Sequence, residues 1–231
     1  VVVWESKNQD GSSWGMYGRR YDADGNPAGN EFRINQETSG QQLDGVVAAL
    51  NDGGFAVVWE SKYQDGGDKG VFTRRYDADG NPAGDEVQVN QYASRDQENP
   101  SVSALDDGGY VVVWESREQD GDGEGVYARR IDANGDPVGN EFRVNQHTGD
   151  SQDTPAVASL DGGGFVVIWE SKNQDTNNEG VYARRYDGDG NALGGEFRVN
   201  QHTTDEQDDP SIVGLADGGF VAVWESKRQD G

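Results

Sequence analysis

A short acidic loop recurs four times with the spacing of oxygen side chains that a hard cation requires. Each copy carries carboxylates or amides at positions 1, 3 and 5 around a glycine. Calcium prefers oxygen ligands of this kind, held on one side of a tight turn. We therefore predict calcium as a cofactor. The predicted ligands are Asp22, Asp24 and Asn26; Asp77, Asp79 and Asn81; Asp132, Asn134 and Asp136; and Asp187, Asp189 and Asn191.

An ordinary hairpin turn would use the same residues. Asp, Asn and Gly are favoured in turns because they tolerate left-handed backbone dihedrals. The spacing also differs from an EF-hand, whose loop has its glutamate at position 12. Here a glutamate follows at position 10 of the loop, as Glu31 and Glu86 do. The turn interpretation therefore stays open beside the calcium interpretation.

A second acidic loop follows each Trp-Glu-Ser tripeptide, and its tail differs between the copies. It begins with Gln-Asp at 9–10, 64–65, 119–120 and 174–175. Variable loops on a constant scaffold often bind ligands, although drift in an unconstrained loop explains the variation as well. Trp14 lies in the first copy of this loop, and it either anchors a ligand or covers the edge of its own sheet. We name Trp14 as a candidate ligand-binding residue.

No set of residues predicts catalysis. The chain has no cysteine and two histidines, which leaves no nucleophile–base pair and no histidine-rich metal site. Trp59, Glu60 and Arg74 could form a platform for a sugar ring, but every copy contains this set, which favours packing between strands. A carboxylate pair for glycoside hydrolysis stays open because Asp and Glu are numerous. A motif copied four times is nevertheless a poor candidate for a catalytic centre, so we expect no enzyme.

All of these residues belong to one internal repeat. Trp-Glu-Ser begins at Trp4, Trp59, Trp114, Trp169 and Trp224, and the Arg-Arg pairs and the acidic loops keep the same period. A fixed period of this length is typical of repeat architectures. We treat residues 1–231 as a single array, with units at approximately 4–58, 59–113, 114–168 and 169–223 and a partial unit at 224–231.

Each unit contains four strand signals separated by turn residues. In the third copy they lie at 100–105, 110–115, 126–131 and 141–145, and no segment shows a helical period. The second signal is apolar on both faces, so that it needs a packed layer on either side. The sequence therefore predicts an all-β fold, a β-propeller built of four-stranded antiparallel blades. A stacked β-solenoid array is the alternative.

The composition limits the possible partners. Asp and Glu number 43 against 19 Lys and Arg, which gives a net charge of −24. Such a surface repels nucleic acid and anionic membranes, and no apolar run reaches membrane-spanning length. We therefore expect neither nucleic acid binding nor membrane insertion. Both ends match interior sequence without a polar capping repeat, so we expect an excerpt of a longer array or a ring of four or more blades. Further copies of the same repeat or chain are the expected partners, together with glycans.

The order of the motifs resembles a known type of bacterial repeat. Trp-Glu-Ser-Lys-Asn-Gln-Asp at 169–175 is followed by Gly-Val-Tyr-Ala-Arg-Arg-Tyr-Asp at 180–187, Gly-Glu-Phe-Arg-Val-Asn at 195–200 and Asp-Gly-Gly-Phe-Val-Ala-Val-Trp at 217–224. This pattern resembles the tandem repeats of giant secreted bacterial proteins, calcium-binding or adhesin-like and associated with RTX and cadherin-like segments. The resemblance implies a propeller-like fold and an extracellular or cell-surface location, and it carries over no catalytic residue.

These observations lead to three expectations of function. The favoured one is a non-catalytic structural or adhesion module of a large secreted or surface protein, stabilised by calcium and able to form filaments. The second is a multivalent, lectin-like propeller whose weak sugar sites act together by avidity. The third and most remote is a glycoside hydrolase.

Overall fold

The computed structural model describes residues 1–11, 13–175 and 178–229, and this part of the chain is built of β-strands without helices. No helix in it is therefore long and apolar enough to span a membrane. The strands are β1 (Val2–Lys7), β2 (Trp14–Arg19), β3 (Phe32–Arg33), β4 (Gln42–Ala49), β5 (Phe55–Lys62), β6 (Lys69–Tyr76), β7 (Val87–Gln88), β8 (Gln97–Ala104), β9 (Tyr110–Arg117), β10 (Glu124–Ile131), β11 (Pro137–Arg143), β12 (Gln152–Ser159), β13 (Phe165–Lys172), β14 (Glu179–Tyr186), β15 (Phe197–Arg198), β16 (Gln207–Gly214) and β17 (Phe220–Ser226).

The strands pair in chain order into antiparallel sheets. Three sheets have four strands each, β4–β7, β8–β11 and β12–β15, while β1–β3 and β16–β17 form the sheets at the two ends. The first strands of neighbouring sheets contact one another, β4 with β8, β8 with β12 and β12 with β16, so that they surround a common axis. This arrangement confirms the predicted β-propeller of four-stranded blades. Each sheet from β4 onward begins at the strand before Trp-Glu-Ser, whereas the sequence units begin within the second strand.

The second strand of each complete sheet is buried on both faces, as its sequence predicts. In β5, Val57 and Trp59 pack toward the preceding sheet, while Ala56 and Val58 pack toward the following one. All four side chains are fully buried. Alternate residues of a strand point to opposite faces, so an apolar run of this kind joins two interfaces at once.

The repeated tryptophan completes its burial with a hydrogen bond. The indole Nε1 of Trp59 donates to Oε1 of Gln42 at 3.1 Å, and Trp114 makes the same bond to Gln97. Both glutamines are fully buried in the first strand of the same sheet. A buried indole N–H needs an acceptor, and this bond accounts for the glutamines at the start of these two strands. Gln152 differs, because its Oε1 accepts from Nδ2 of Asn145, and the indole N–H of Trp169 has no partner among the described residues.

In the three four-stranded sheets, the first arginine of the Arg-Arg pair joins the sheet to the preceding one. Nη1 of Arg74 donates to the carbonyl oxygen of Ile34 at 3.1 Å, and Arg129 makes the equivalent bond to Val89 at 2.9 Å. Each acceptor lies just after the last strand of the preceding sheet. The Arg-Arg motif therefore has a structural role in stacking the blades.

Candidate active site

From β4 onward, the first strand of each sheet carries a β-bulge near its start. The pairing register shifts between Leu43 and Val46 in β4, and at the same point in β8, β12 and β16. One residue of each bulge has a left-handed backbone. These four residues, called the bulge residues below, are Asp44 (φ 51°), Asn99 (φ 50°), Thr154 (φ 49°) and Asp209 (φ 49°).

The backbone at the bulges departs from regular strand geometry. A left-handed conformation is uncommon outside glycine and is an outlier for a β-branched residue such as Thr154. Bulges and strained residues of this kind occur often beside functional sites, where they direct a side chain away from the regular sheet.

The four bulge residues line one cavity of about 510 Å³. They come from four different sheets, and their strands surround the propeller axis. The cavity, called the axial cavity below, therefore lies at one end of that axis. Gly45, Pro100 and Pro155, which each follow a bulge residue, also contribute to its lining.

The glutamates of the first four Trp-Glu-Ser motifs each hold a bulge residue of the next sheet. Its Oε1 accepts a hydrogen bond from a bulge backbone N–H across the boundary between two sheets. The four pairs are Glu5 with Asp44 (2.8 Å), Glu60 with Asn99 (2.8 Å), Glu115 with Thr154 (2.6 Å) and Glu170 with Asp209 (2.5 Å). The repeated glutamate thus positions the lining of the axial cavity.

Some of the carboxyl groups behind the cavity are buried, and burial raises their pKa values. Glu115 and Glu170 are 5% and 8% exposed, and burial raises the pKa of each to about 7, although hydrogen bonds from the bulge N–H oppose the shift. Asp153 lies directly opposite Glu170 in the sheet. Burial, together with the charge of Glu115, raises the pKa of Asp153 to about 7. Protonation relieves the cost of burying these like charges together.

The lining of the axial cavity provides carboxyl, amide and hydroxyl groups. Asp44 and Asp209 offer two carboxyl groups, and Asn99 and Thr154 offer an amide and a hydroxyl. Paired carboxyl groups are the reacting groups of most glycoside hydrolases. Amide and hydroxyl side chains fix the orientation of polar ligands in such pockets. The arrangement can therefore bind a polyhydroxyl ligand and transfer protons to or from it.

The predicted calcium ligands lie at the opposite end of the propeller, where they close turns. Oδ1 of Asp22 accepts hydrogen bonds from the backbone N–H groups of Asp24 and Asn26 at 3.0 and 2.8 Å, and Oδ2 accepts one from the side chain of Asn26. The backbone and side-chain bonds from Asn26 lower the pKa of Asp22. Asp77, Asp132 and Asp187 accept the same two backbone bonds in their own loops. These contacts explain the recurring motif as a turn, and calcium at these loops stays a prediction.

Trp14 begins a strand and shares a repeat position with other residues. It pairs with Lys7 across β1 and β2, and the Lys7 ammonium lies 5.5 Å from the indole centroid. The equivalent residues of the next three copies are Lys69, Glu124 and Glu179, each also at the start of a strand. The interpretation of Trp14 as a loop residue is therefore corrected, while its ligand-binding role stays a prediction. Residues 12 and 176–177 of the variable acidic loops lie outside the described part of the chain.

Sequence reasoning missed the bulge residues. A signal was present, because the residue two positions after an invariant glutamine is Asp, Asn, Thr and Asp in the successive copies. The proposed platform of Trp59, Glu60 and Arg74 does not offer a surface to a sugar, since Trp59 is fully buried.

Comparison with known proteins identifies the fold. No family model and no curated protein matches the chain. An α-L-arabinanase from Penicillium chrysogenum matches with a TM-score of 0.62 and 15% identity, over 97% of this chain and 71% of that chain. An α-L-arabinofuranosidase from Fusarium graminearum matches with a TM-score of 0.57 and 13% identity, over 96% of this chain and 65% of that chain. An endo-arabinase from Bacteroides thetaiotaomicron matches with a TM-score of 0.51 and 12% identity, over 98% of this chain and 89% of that chain. The chain has the fold of these β-propellers.

The comparison contradicts the expectation of a non-catalytic structural or adhesion module. Proteins that share the fold over nearly all of this chain are named as carbohydrate-cleaving enzymes. The same matches contradict the expectation that the chain is not an enzyme. The error came from treating a fourfold motif as a fourfold site, whereas the residues that line the axial cavity differ from copy to copy.

Proposed function

We propose that the chain is a glycoside hydrolase whose active site is the axial cavity. The observation that carries the proposal is the meeting of Asp44 and Asp209 in one cavity, beside Asn99 and Thr154. The two carboxyl groups belong to different sheets, and the backbone N–H of each aspartate donates to a glutamate of the preceding sheet, the partly buried Glu5 and the buried Glu170. Reacting groups fixed in this way satisfy the need of catalysis for preorganised geometry.

Asp44 and Asp209 supply the two carboxyl groups of the reaction. One donates a proton to the glycosidic oxygen as the bond breaks, and the other activates water or attacks the sugar carbon. Asn99 and Thr154 bind sugar hydroxyl groups and orient the ring between the carboxyl groups. The lining is acidic or neutral, so the cavity favours an uncharged glycan over a uronic acid.

Arabinose-containing polysaccharides are the first substrates to test. The support is the fold shared with proteins named arabinanase and arabinofuranosidase, together with the uncharged character of such polymers. These polymers lie outside cells, which agrees with the extracellular location that the repeat resemblance implies.

The experiment measures sugar release from arabinan and arabinoxylan by the wild-type chain and its variants. We expect D44N and D209N each to lower the rate by about 100-fold or more, because a general acid or base contributes about that factor. The matched controls are D24N and D79N, exposed carboxylates at the opposite end, which should retain the wild-type rate.

Two results would overturn the proposal. Equal rates in wild type, D44N and D209N would show that the axial cavity is not the site of the reaction. Retention on an arabinan resin without any product would instead assign a lectin-like binding function to the same cavity.

A further inference from the structure

The sheet β16–β17 is covered on one face and open on the other. Residues Phe220–Ser226 of β17 alternate between partly buried and exposed, whereas every residue of β5 and β13 except the last is buried. The exposed side chains include Val221 and Val223, and Leu215 follows β16 in the same sheet. These three apolar residues, called the following face below, are between 40% and 59% exposed.

The same repeat positions are buried between sheets elsewhere in the chain. In the sheet β4–β7 they are occupied by Leu50, Ala56 and Val58, which are at most 5% exposed. These residues form one core cluster with side chains from the second and third strands of the next sheet, Tyr110, Val112, Trp114, Tyr127 and Ile131. This cluster shows which side chains cover a following face.

The sheet β1–β3 leaves the complementary face open. Its residues Val2, Trp4 and Tyr21, called the preceding face below, occupy the repeat positions of Val112, Trp114 and Ile131. Val2 and Tyr21 are 52% and 42% exposed, and Trp4 is partly buried. The three counterparts in the sheet β8–β11 are at most 1% exposed. The first sheet therefore presents the kind of surface that the last sheet lacks.

The two open faces are the two halves of one contact. Both are exposed in the same molecule, so they do not cover one another within one chain. We propose that two copies of the chain associate head to tail, with the preceding face of one copy seated on the following face of the other. A second copy is the occupant because the contact repeats the one that successive sheets of this chain already make, with apolar residues at the same repeat positions. Contiguous exposed apolar residues mark interaction surfaces of this kind.

The contact joins two different surfaces. Each copy therefore uses one face and keeps the other available, as in any heterologous interface. Neither face includes a residue that lines the axial cavity. The association is thus independent of the proposed enzymatic activity, and either can fail without the other.

The net charge of the chain opposes the association. Each copy carries a charge of −24, so two copies repel one another at low ionic strength. Salt screens this repulsion and leaves the burial of apolar surface in force. The association should therefore strengthen as sodium chloride is added, whereas a contact held by ion pairs would weaken.

The test is sedimentation equilibrium of the 231-residue chain over a range of protein concentrations. In about 0.5 M sodium chloride, where charges are screened within a few ångströms, the average mass should rise with concentration above the 25.0 kDa of one chain. The same series at low salt should show weaker association.

One variant blocks each face. V223D places a carboxylate in the following face and V2D places one in the preceding face, and each should raise the dissociation constant by about 100-fold because the charge becomes buried without a partner. The matched control is L193D, since Leu193 is 61% exposed but lies in neither of these two sheets. L193D should associate as wild type does. Thermal midpoints of dilute samples show that the variants remain folded.

A mixture of the two variants tests the head-to-tail geometry. V2D retains an intact following face, and V223D retains an intact preceding face. Neither variant should associate alone, but an equimolar mixture should form a one-to-one dimer and stop there, because the remaining faces of that dimer are both blocked.

Three results would overturn the inference. The first is wild-type protein that keeps the mass of one chain at every concentration in added salt. The second is association that V2D and V223D both retain at wild-type strength. The third is a mixture of V2D and V223D that forms no dimer although wild type associates, which would assign the contact to other surfaces.

Discussion

The two ends of the propeller use acidic residues in opposite ways. At the turn end, Asp22, Asp77, Asp132 and Asp187 occupy equivalent places and accept the hydrogen bonds that close their own turns. At the bulged end, the four bulge residues differ between copies and line a shared cavity.

The difference separates structural repetition from functional variation. A residue that every blade needs, such as the turn aspartate or the Trp-Glu-Ser glutamate, makes a contact inside the fold. A residue that changes from blade to blade, as at the bulges, is not required by every blade and can contribute to a single site. In this repeat protein the departures from the pattern point to the chemistry.

The largest expected effect on stability is at Trp114, which recurs in every copy of the repeat, and it contrasts with the effect at Trp14, which does not recur. Trp114→Ala should cost about 3–5 kcal/mol of unfolding free energy, because it empties a fully buried site. Trp14→Ala should cost about 1 kcal/mol, because its indole is only partly buried and its ammonium contact is weak. Urea unfolding measures both free-energy losses. Similar losses would show that recurrence of a tryptophan in every copy does not predict how well it is packed.

The next prediction concerns pH, because the two ends respond in opposite directions. Unfolded carboxyl groups titrate near pH 4, whereas Glu115, Asp153 and Glu170 titrate near 7 in the folded chain. The folded state thus binds more protons in this interval, and stability should fall as the pH rises from about 4 to 7. The turn aspartates have lowered pKa values, so their contribution is lost as the pH falls below about 4.

Removal of the buried charges tests that assignment. E115Q combined with E170Q should reduce the decline between about pH 4 and 7 to the part that Asp153 contributes, measured as the thermal midpoint in buffers of constant ionic strength. The matched control D24N should leave it as steep as in wild type. A decline that the double variant retains in full would place the responsible groups elsewhere.

The smallest effect is expected from a single turn. Asp132→Ala removes the acceptor of two backbone N–H groups on the surface, at a cost of about 1 kcal/mol. That loss corresponds to a midpoint lower by about 2–4 °C in a chain of this size. Sugar release should be unchanged. A large loss of activity without a loss of stability would instead show that the turn end takes part in the reaction.

Sequence reasoning could predict the fold but not the assembly of the site. The apolar run at 55–59 and the regular tryptophans determine that the strands are buried on both faces, and therefore that blades stack. The bulges could not be found in this way, since a single extra residue leaves the strand pattern intact. Asp44 and Asp209 are distant in the chain and meet only because four first strands surround one axis.

The most direct test is a crystal structure of the D209N variant soaked with an arabinose oligosaccharide. The account predicts a sugar ring in the axial cavity, in contact with Asp44, Asn99 and Thr154. A sugar bound instead at the turn end, in the cavity lined by Leu105, Gly163 and Asp187, would contradict it.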